Sequence, residues 1–276
     1  MSTRRELDPE WQARVDEVTR DLPKWISWIG TLQKPEPGSQ LEDDDRLGPG
    51  SIVSQMAWQG LIAATDHLDL LNESLIHSGV RPTAQFTLAR GALFAGARTV
   101  WILAPDEQKT RRRRALFVAY EDYRNLRKDG EALLASPLSK RYDSDTKKRL
   151  KEQVATPVDD VKAAGLQIGL KLGASKNCDK VPTDTAIVAY AAGQIDPEGS
   201  GSGAALEHQW RAHSGHAHGL SWPQLLNTPE LETAEDGTVF RRVAGDEMSM
   251  ALALTGAWLL INRGFGLYWS RSKPAP

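Results

Sequence analysis

One cysteine, Cys178, is all the thiol this 276-residue chain carries. No internal disulfide can staple it, and the fold must rest on a buried apolar core, for which the chain is long enough. A reducing compartment suits such a chain, and a cytoplasmic location is the expectation. An excess of charge of one sign is lacking as well: 34 Lys and Arg face 36 Asp and Glu, a formal net charge of -2. That balance excludes a wholly basic nucleic-acid binder and leaves room for a local basic surface. No apolar run follows Met1-Ser2-Thr3-Arg4-Arg5-Glu6, so no signal peptide is expected. The most apolar stretch, Met248 to Ile261, is shorter than a bilayer span and is closed by Asn262-Arg263. It reads as a buried core helix, and no membrane partner is expected. Apolar and polar residues nowhere alternate long enough for a sheet, and no repeat of fixed period is present. The phosphate-binding glycine loops and the His-Glu-x-x-His zinc motif are missing too.

What the chain has is helical periodicity. Trp11, Val15, Val18, Leu22, Trp25, Ile29 and Leu32 recur every three or four residues, predicting a helix over 9–33 that Pro23 kinks or divides. Lys34-Pro35-Glu36-Pro37-Gly38 and the run Glu42-Asp43-Asp44-Asp45 follow, reading as a loop. Further helices are predicted over 51–77, 82–103, 106–135, 144–172 with a break near Thr156-Pro157, 183–192 and 246–268. A hairpin around Asp236-Gly237 is expected just before the last of them. The fold class is therefore all-α: an antiparallel multi-helix bundle with a late loop or small hairpin before the final helix. The expected division is an N-terminal helix and acidic linker, 1–48, ahead of a helical bundle domain, 49–276.

Chemistry concentrates in one place. Four of the six histidines, His208, His213, His216 and His218, fall within eleven residues, with Arg211 among them. Histidine changes charge near neutral pH and its neutral ring binds metals. Arginine stays charged and offers phosphate a planar fork. A second feature is the run Arg111-Arg112-Arg113-Arg114, inside a segment, 106–151, with fourteen Lys or Arg against eight Asp or Glu. Four consecutive arginines cover every side of a helical turn, so they read either as a solvated face or as a patch for a nucleic-acid backbone, with Arg111, Arg112 and Arg114 the candidate contacts.

Arg211 is separated from His216 by four residues and from His218 by six, and the segment ends Ala217-His218-Gly219. This resembles the Arg-x4–6-His motif and the common Ala-His-Gly ending of the HEPN superfamily. The likeness covers about the last third of the chain. It departs at Ala212, where the family often has Asn or another polar residue. The stretches Leu88-Ala89-Arg90-Gly91-Ala92-Leu93-Phe94 and Trp101-Ile102-Leu103-Ala104-Pro105 are also similar in texture to helical proteins common in high-GC bacteria. The HEPN resemblance implies a helical bundle and a homodimer whose two motifs meet across a two-fold axis. It implies a metal-independent ribonuclease of a defence or stress system, with RNA as substrate and an antitoxin or other protein as partner. Arg211 would then bind phosphate while His216 and His218 act as acid and base. No metal and no cofactor is expected on this reading. Two others stand beside it. One is a non-catalytic helical scaffold or ligand-binding module with a structural His/Arg cluster. The other is a metal protein in which His213, His216 and His218, with Glu207 or His208, supply ligands. Ser214-Gly215 argues against one continuous helix through the cluster.

Overall fold

The computed structural model describes residues 9–31, 33–46, 52–225, 231–241 and 247–274. Along the chain lie α1 (Pro9–Ile29), α2 (Gln40–Asp45), α3 (Ile52–Ser78), α4 (Ala84–Leu103), α5 (Gln108–Ala135), α6 (Ser144–Gln167), α7 (Asp184–Ile195), α8 (Ser202–Ala217), α9 (Trp222–Leu225) and α10 (Glu247–Ser272). A 3₁₀ turn, Pro137–Arg141, joins α5 to α6. Two three-residue strands, β1 (Leu231–Thr233) and β2 (Val239–Arg241), pair antiparallel with Glu232 opposite Phe240. The chain is thus an all-α helical bundle with a small hairpin before its last helix. Asp236-Gly237 makes the hairpin turn: Gly237 takes a φ of 84° and the Thr238 N–H donates to Asp236 Oδ1 at 2.9 Å.

Two compact units form. The first comprises 1–33, 59–101 and 183–267, and the second 34–58, 102–182 and 268–276. In the first unit, α1 is built into the core: Val18, Leu22 and Trp25 are buried, and Trp25 and Trp28 both lie against Phe265 of α10. Small residues bring α3, α4 and α10 close together there. A Cβ on Gly264 would stand 3.0 Å from Leu61, and one on Gly96 would stand 3.1 Å from Leu260. In the second unit, the acidic segment is no solvated linker. Ser39 caps α2, Asp44 is fully buried, and Asp45 accepts from the N–H groups of Val53 and Ser54 at 2.9 and 3.0 Å, satisfying the open start of α3.

Two predicted breaks do not occur. Helix α1 runs through Pro23 and α6 through Pro157. Tertiary packing of Val154, Val158 and Val161 holds α6 across the missing hydrogen bond. Helix α10 passes through Asn262-Arg263, as expected, and runs on to Ser272; those two residues face outward while Leu260, Ile261 and Phe265 stay buried. At 26 residues α10 is long and apolar enough to cross a membrane, yet 61% of its most apolar window is buried inside the protein, as in a core helix. Leu32 and the side chain of Trp11, expected on the stripe of the first helix, lie outside the described residues.

Candidate functional site

Helix α8 carries the whole histidine–arginine cluster, running unbroken through Ser214-Gly215 to Ala217. Glycine survives mid-helix here because of what packs on it. A Cβ on Gly215 would stand against Pro223 Cγ and only 2.9 Å from Trp222 Nε1. The helix starts at a loop tied by Asp196, whose carboxylate accepts from the N–H groups of Ser200, Gly201 and Gly203 at 2.7, 2.9 and 3.0 Å. Those bonds hold the Asp196 carboxyl down at about 2. It ends in a Schellman motif. His218 is the C-cap, Gly219 takes a φ of 68°, the Gly219 N–H donates to His216 O at 3.1 Å, and the Leu220 N–H donates to Gly215 O at 2.9 Å. The Ala-His-Gly ending therefore has a local structural reason of its own: the residue after His218 must adopt the left-handed conformation.

A continuous helix sorts the cluster by face. Glu207, Arg211, Gly215 and His218 recur at spacings of four, four and three and share one side. Arg211 and His218 are exposed there, about two turns and 10 Å apart along the axis. The Arg211 guanidinium meets Glu207 Oε2 at 3.1 Å. Trp222, 38% exposed, lies across Gly215 between them. Leu206, Gln209, Trp210, His213 and His216 point the other way and are buried.

Helix α4 covers that buried side. Its residues Phe86, Arg90 and Phe94, one turn apart, meet α8 in order. Phe86 stacks on His216 with centroids 4.6 Å apart and lies 5.2 Å from His213. Arg90 donates from Nε to Ser214 Oγ at 2.9 Å and sits 4.4 Å over the Trp210 ring. Phe94 stacks on Trp210 at 5.0 Å. A cavity of about 50 Å³ opens between Phe86 and α8, reaching Gln209, His213 and His216. Burial pushes His213 down to about 3, aided by repulsion from His216 and His208, and burial also lowers His216. Both imidazoles are therefore uncharged near neutral pH.

The expected acid–base pair of His216 and His218 is thus separated. His218 shares the exposed face with Arg211, whereas His216 is 8% exposed and faces Phe86. The metal set is not assembled either: among the described residues no group of three or more His, Cys, Asp or Glu could hold a metal ion.

The arginine run belongs to the second unit and is mostly engaged within it. Arg111 is 2% exposed and grips Asp44 with two bonds, Nε to Oδ2 at 2.6 Å and Nη2 to Oδ1 at 3.1 Å. Its Nη1 donates to the carbonyls of Pro105 and Asp106 at 3.0 and 2.7 Å. Arg112 donates to the last carbonyls of α2, those of Asp43 and Asp44. Arg113 pairs with Asp179, and Arg114 is half-buried with interactions of its own. The structure thus places Arg111, a candidate nucleic-acid contact, in an internal ion pair, and Arg112 on the closing carbonyls of α2.

Sequence reasoning missed Phe86, Arg90, Gln209 and Trp222. The spacing of Phe86, Arg90 and Phe94 by four was a readable signal for one helix face. Gln209 and Trp222 gave none. No protein-family model matches the chain, and no curated protein and no solved structure matches it.

Proposed function

We propose that the chain is a HEPN-like intracellular protein that cleaves RNA without a metal, using the exposed face of α8. The observation that carries this reading is the placement of Arg211 and His218 on one solvent-facing side of a helix whose other side is locked into the fold. Arg211 binds the scissile phosphate, displacing Glu207, and the planar guanidinium suits that role. His218 takes the 2′-hydroxyl proton, the 2′-oxygen attacks phosphorus, and the 5′-oxygen leaves with a proton, giving a 2′,3′-cyclic phosphate. The second proton-transfer group is His218 of a second copy, because His216 is buried away from this face. Trp222 beside the pair offers a surface on which a single-stranded base stacks.

The test is RNA cleavage by purified protein in excess EDTA, with wild type beside Arg211→Ala and His218→Ala. Loss of cleavage in both variants, with folding unchanged, supports the reading. Absence of cleavage in the wild type overturns it. A non-catalytic helical module is the second reading, favoured by the way Phe86, Arg90 and Phe94 hold Trp210, Ser214 and His216 in place.

A further inference from the structure

We propose that the cavity beside His213 and His216 binds a small uncharged group carrying an N–H donor next to a carbonyl, as on the edge of a carboxamide or lactam. Three polar atoms carry the argument. The Nδ1 atoms of His213 and His216 and the Oε1 atom of Gln209 are buried and hydrogen-bond to no described group. All three side chains line the same cavity, and their residues are 2%, 8% and 8% exposed. Buried polar atoms are ordinarily paired, so three in one small space mark a place built to be completed by something else. This site lies on the opposite side of α8 from Arg211 and is independent of the ribonuclease reading.

Size and charge narrow the occupant. The cavity has about 50 Å³ open to the centre of a water-sized sphere. Roughly 10–15 Å³ on that measure admits one water, so the space exceeds a single water and suits an amide or a small ring. Among the described residues, no Asp, Glu, Lys or Arg lines it. The one further titratable residue among the lining, His208, is exposed, so an ion of either sign placed between His213 and His216 would lose its hydration without a buried partner charge. The neutral imidazoles add no charge of their own at pH 7.

Hydrogen-bond chemistry narrows it further. Gln209 Oε1 only accepts, so the occupant must bring a donor. A neutral imidazole nitrogen donates or accepts according to tautomer. A group with N–H beside C=O satisfies Gln209 with the first and an imidazole N–H with the second. Phe86 and Pro223 supply apolar wall beside these polar atoms.

The test uses the full chain labelled with ¹⁵N in its histidine rings, titrated with 2-pyrrolidone and, at equal concentration, with acetate or methylammonium. The expected result is a saturable shift of the two buried imidazoles with the lactam, absent with either ion. Gln209→Leu removes the obligate acceptor, and Ala212→Leu narrows the cavity from its rim; each weakens lactam binding at least tenfold. Should one variant fail to fold, the other decides. Equal response to the ions, unchanged affinity in the folded variants, or a trapped water that no probe displaces overturns the proposal.

Discussion

His216 stacks on Phe86 with ring centroids 4.6 Å apart and planes 13° apart. Two residues later, His218 caps the same helix and is exposed. At about 100° per residue, two positions along a helix exchange an inward direction for an outward one. The cluster therefore holds two kinds of histidine: a buried pair, His213 and His216, and an exposed partner for Arg211.

The buried pair makes stability depend on pH. His213 is lowered from an ordinary 6.5 to about 3 by burial. Between those values the unfolded chain binds a proton that the folded chain does not, so stability rises with pH across the window and is lost as pH falls below 6.5. One such group contributes at most about 1.4 kcal/mol per pH unit. His216, also lowered, adds in the same direction. Urea unfolding at pH 7, 5.5 and 4.5 should show falling stability in the wild type and a shallower fall in His213→Leu. Parallel slopes in the two proteins would contradict the assignment.

Arg111 and Asp44 form a buried pair, 2% and 0% exposed. Removing one partner leaves a charge with no water and no counterion, which costs about 3–5 kcal/mol. Arg111→Met should therefore destabilise strongly, and adding Asp44→Leu should recover most of the loss. Chemical denaturation of the two variants checks this. If Arg111→Met is nearly neutral, the side chain is a solvated basic contact after all.

The broad fold was legible and the long-range pairings were not. Apolar residues at three- and four-residue spacing located α3, α5 and α10, and Asp236-Gly237 located the hairpin turn. Proline does not end a helix here: α6 passes Pro157 because buried valines on one face outweigh the lost backbone bond. The run Glu42-Asp43-Asp44-Asp45 looked like solvated charge, since nothing local announces that Asp44 meets Arg111, 67 positions later. In the cluster, Ser214-Gly215 argues locally against a continuous helix, whereas Gly215 is the point where Trp222 and Pro223 press on α8. Once the helix is continuous, its period alone decides which histidine accompanies Arg211.

Gly215 itself is testable. In an open helix interior Gly→Ala gains about 0.5–1 kcal/mol. Here the added methyl meets Trp222 and Pro223, and displacing them outweighs that gain. Gly215→Ala should lower the melting temperature and move the Trp222 signal in ¹⁹F-tryptophan NMR. A stabilised variant with an unmoved Trp222 would show that the contact is dispensable.

Glu207 restrains Arg211 through a pair at 3.1 Å, with side chains 31% and 56% exposed. Such an exposed pair contributes less than about 1 kcal/mol. On the proposed function, Glu207→Gln frees the guanidinium for phosphate and tightens RNA binding by about two- to fivefold, a gain that shrinks with added salt. Filter binding at two salt concentrations measures it. Weaker binding in Glu207→Gln would place the phosphate elsewhere.

A composite site formed by two copies makes the last prediction the most discriminating. In the proposed dimer the site draws on Arg211 and His218 side chains of both copies, with the two His218 as base and acid, and each single variant is inactive as a homodimer. Mixing Arg211→Ala with His218→Ala after partial denaturation and refolding produces dimers holding one intact Arg211 and one intact His218. Two outcomes separate the roles. If one arginine and one histidine suffice, activity returns in proportion to the mixed dimer, up to about half the protein for random pairing of equal amounts. If both histidines are required, one as acid and one as base, the mixture stays inactive while wild type mixed with His218→Ala loses activity as the square of the wild-type fraction. Activity that instead falls linearly with the wild-type fraction would mean that each chain works alone, and the two-copy site would be excluded.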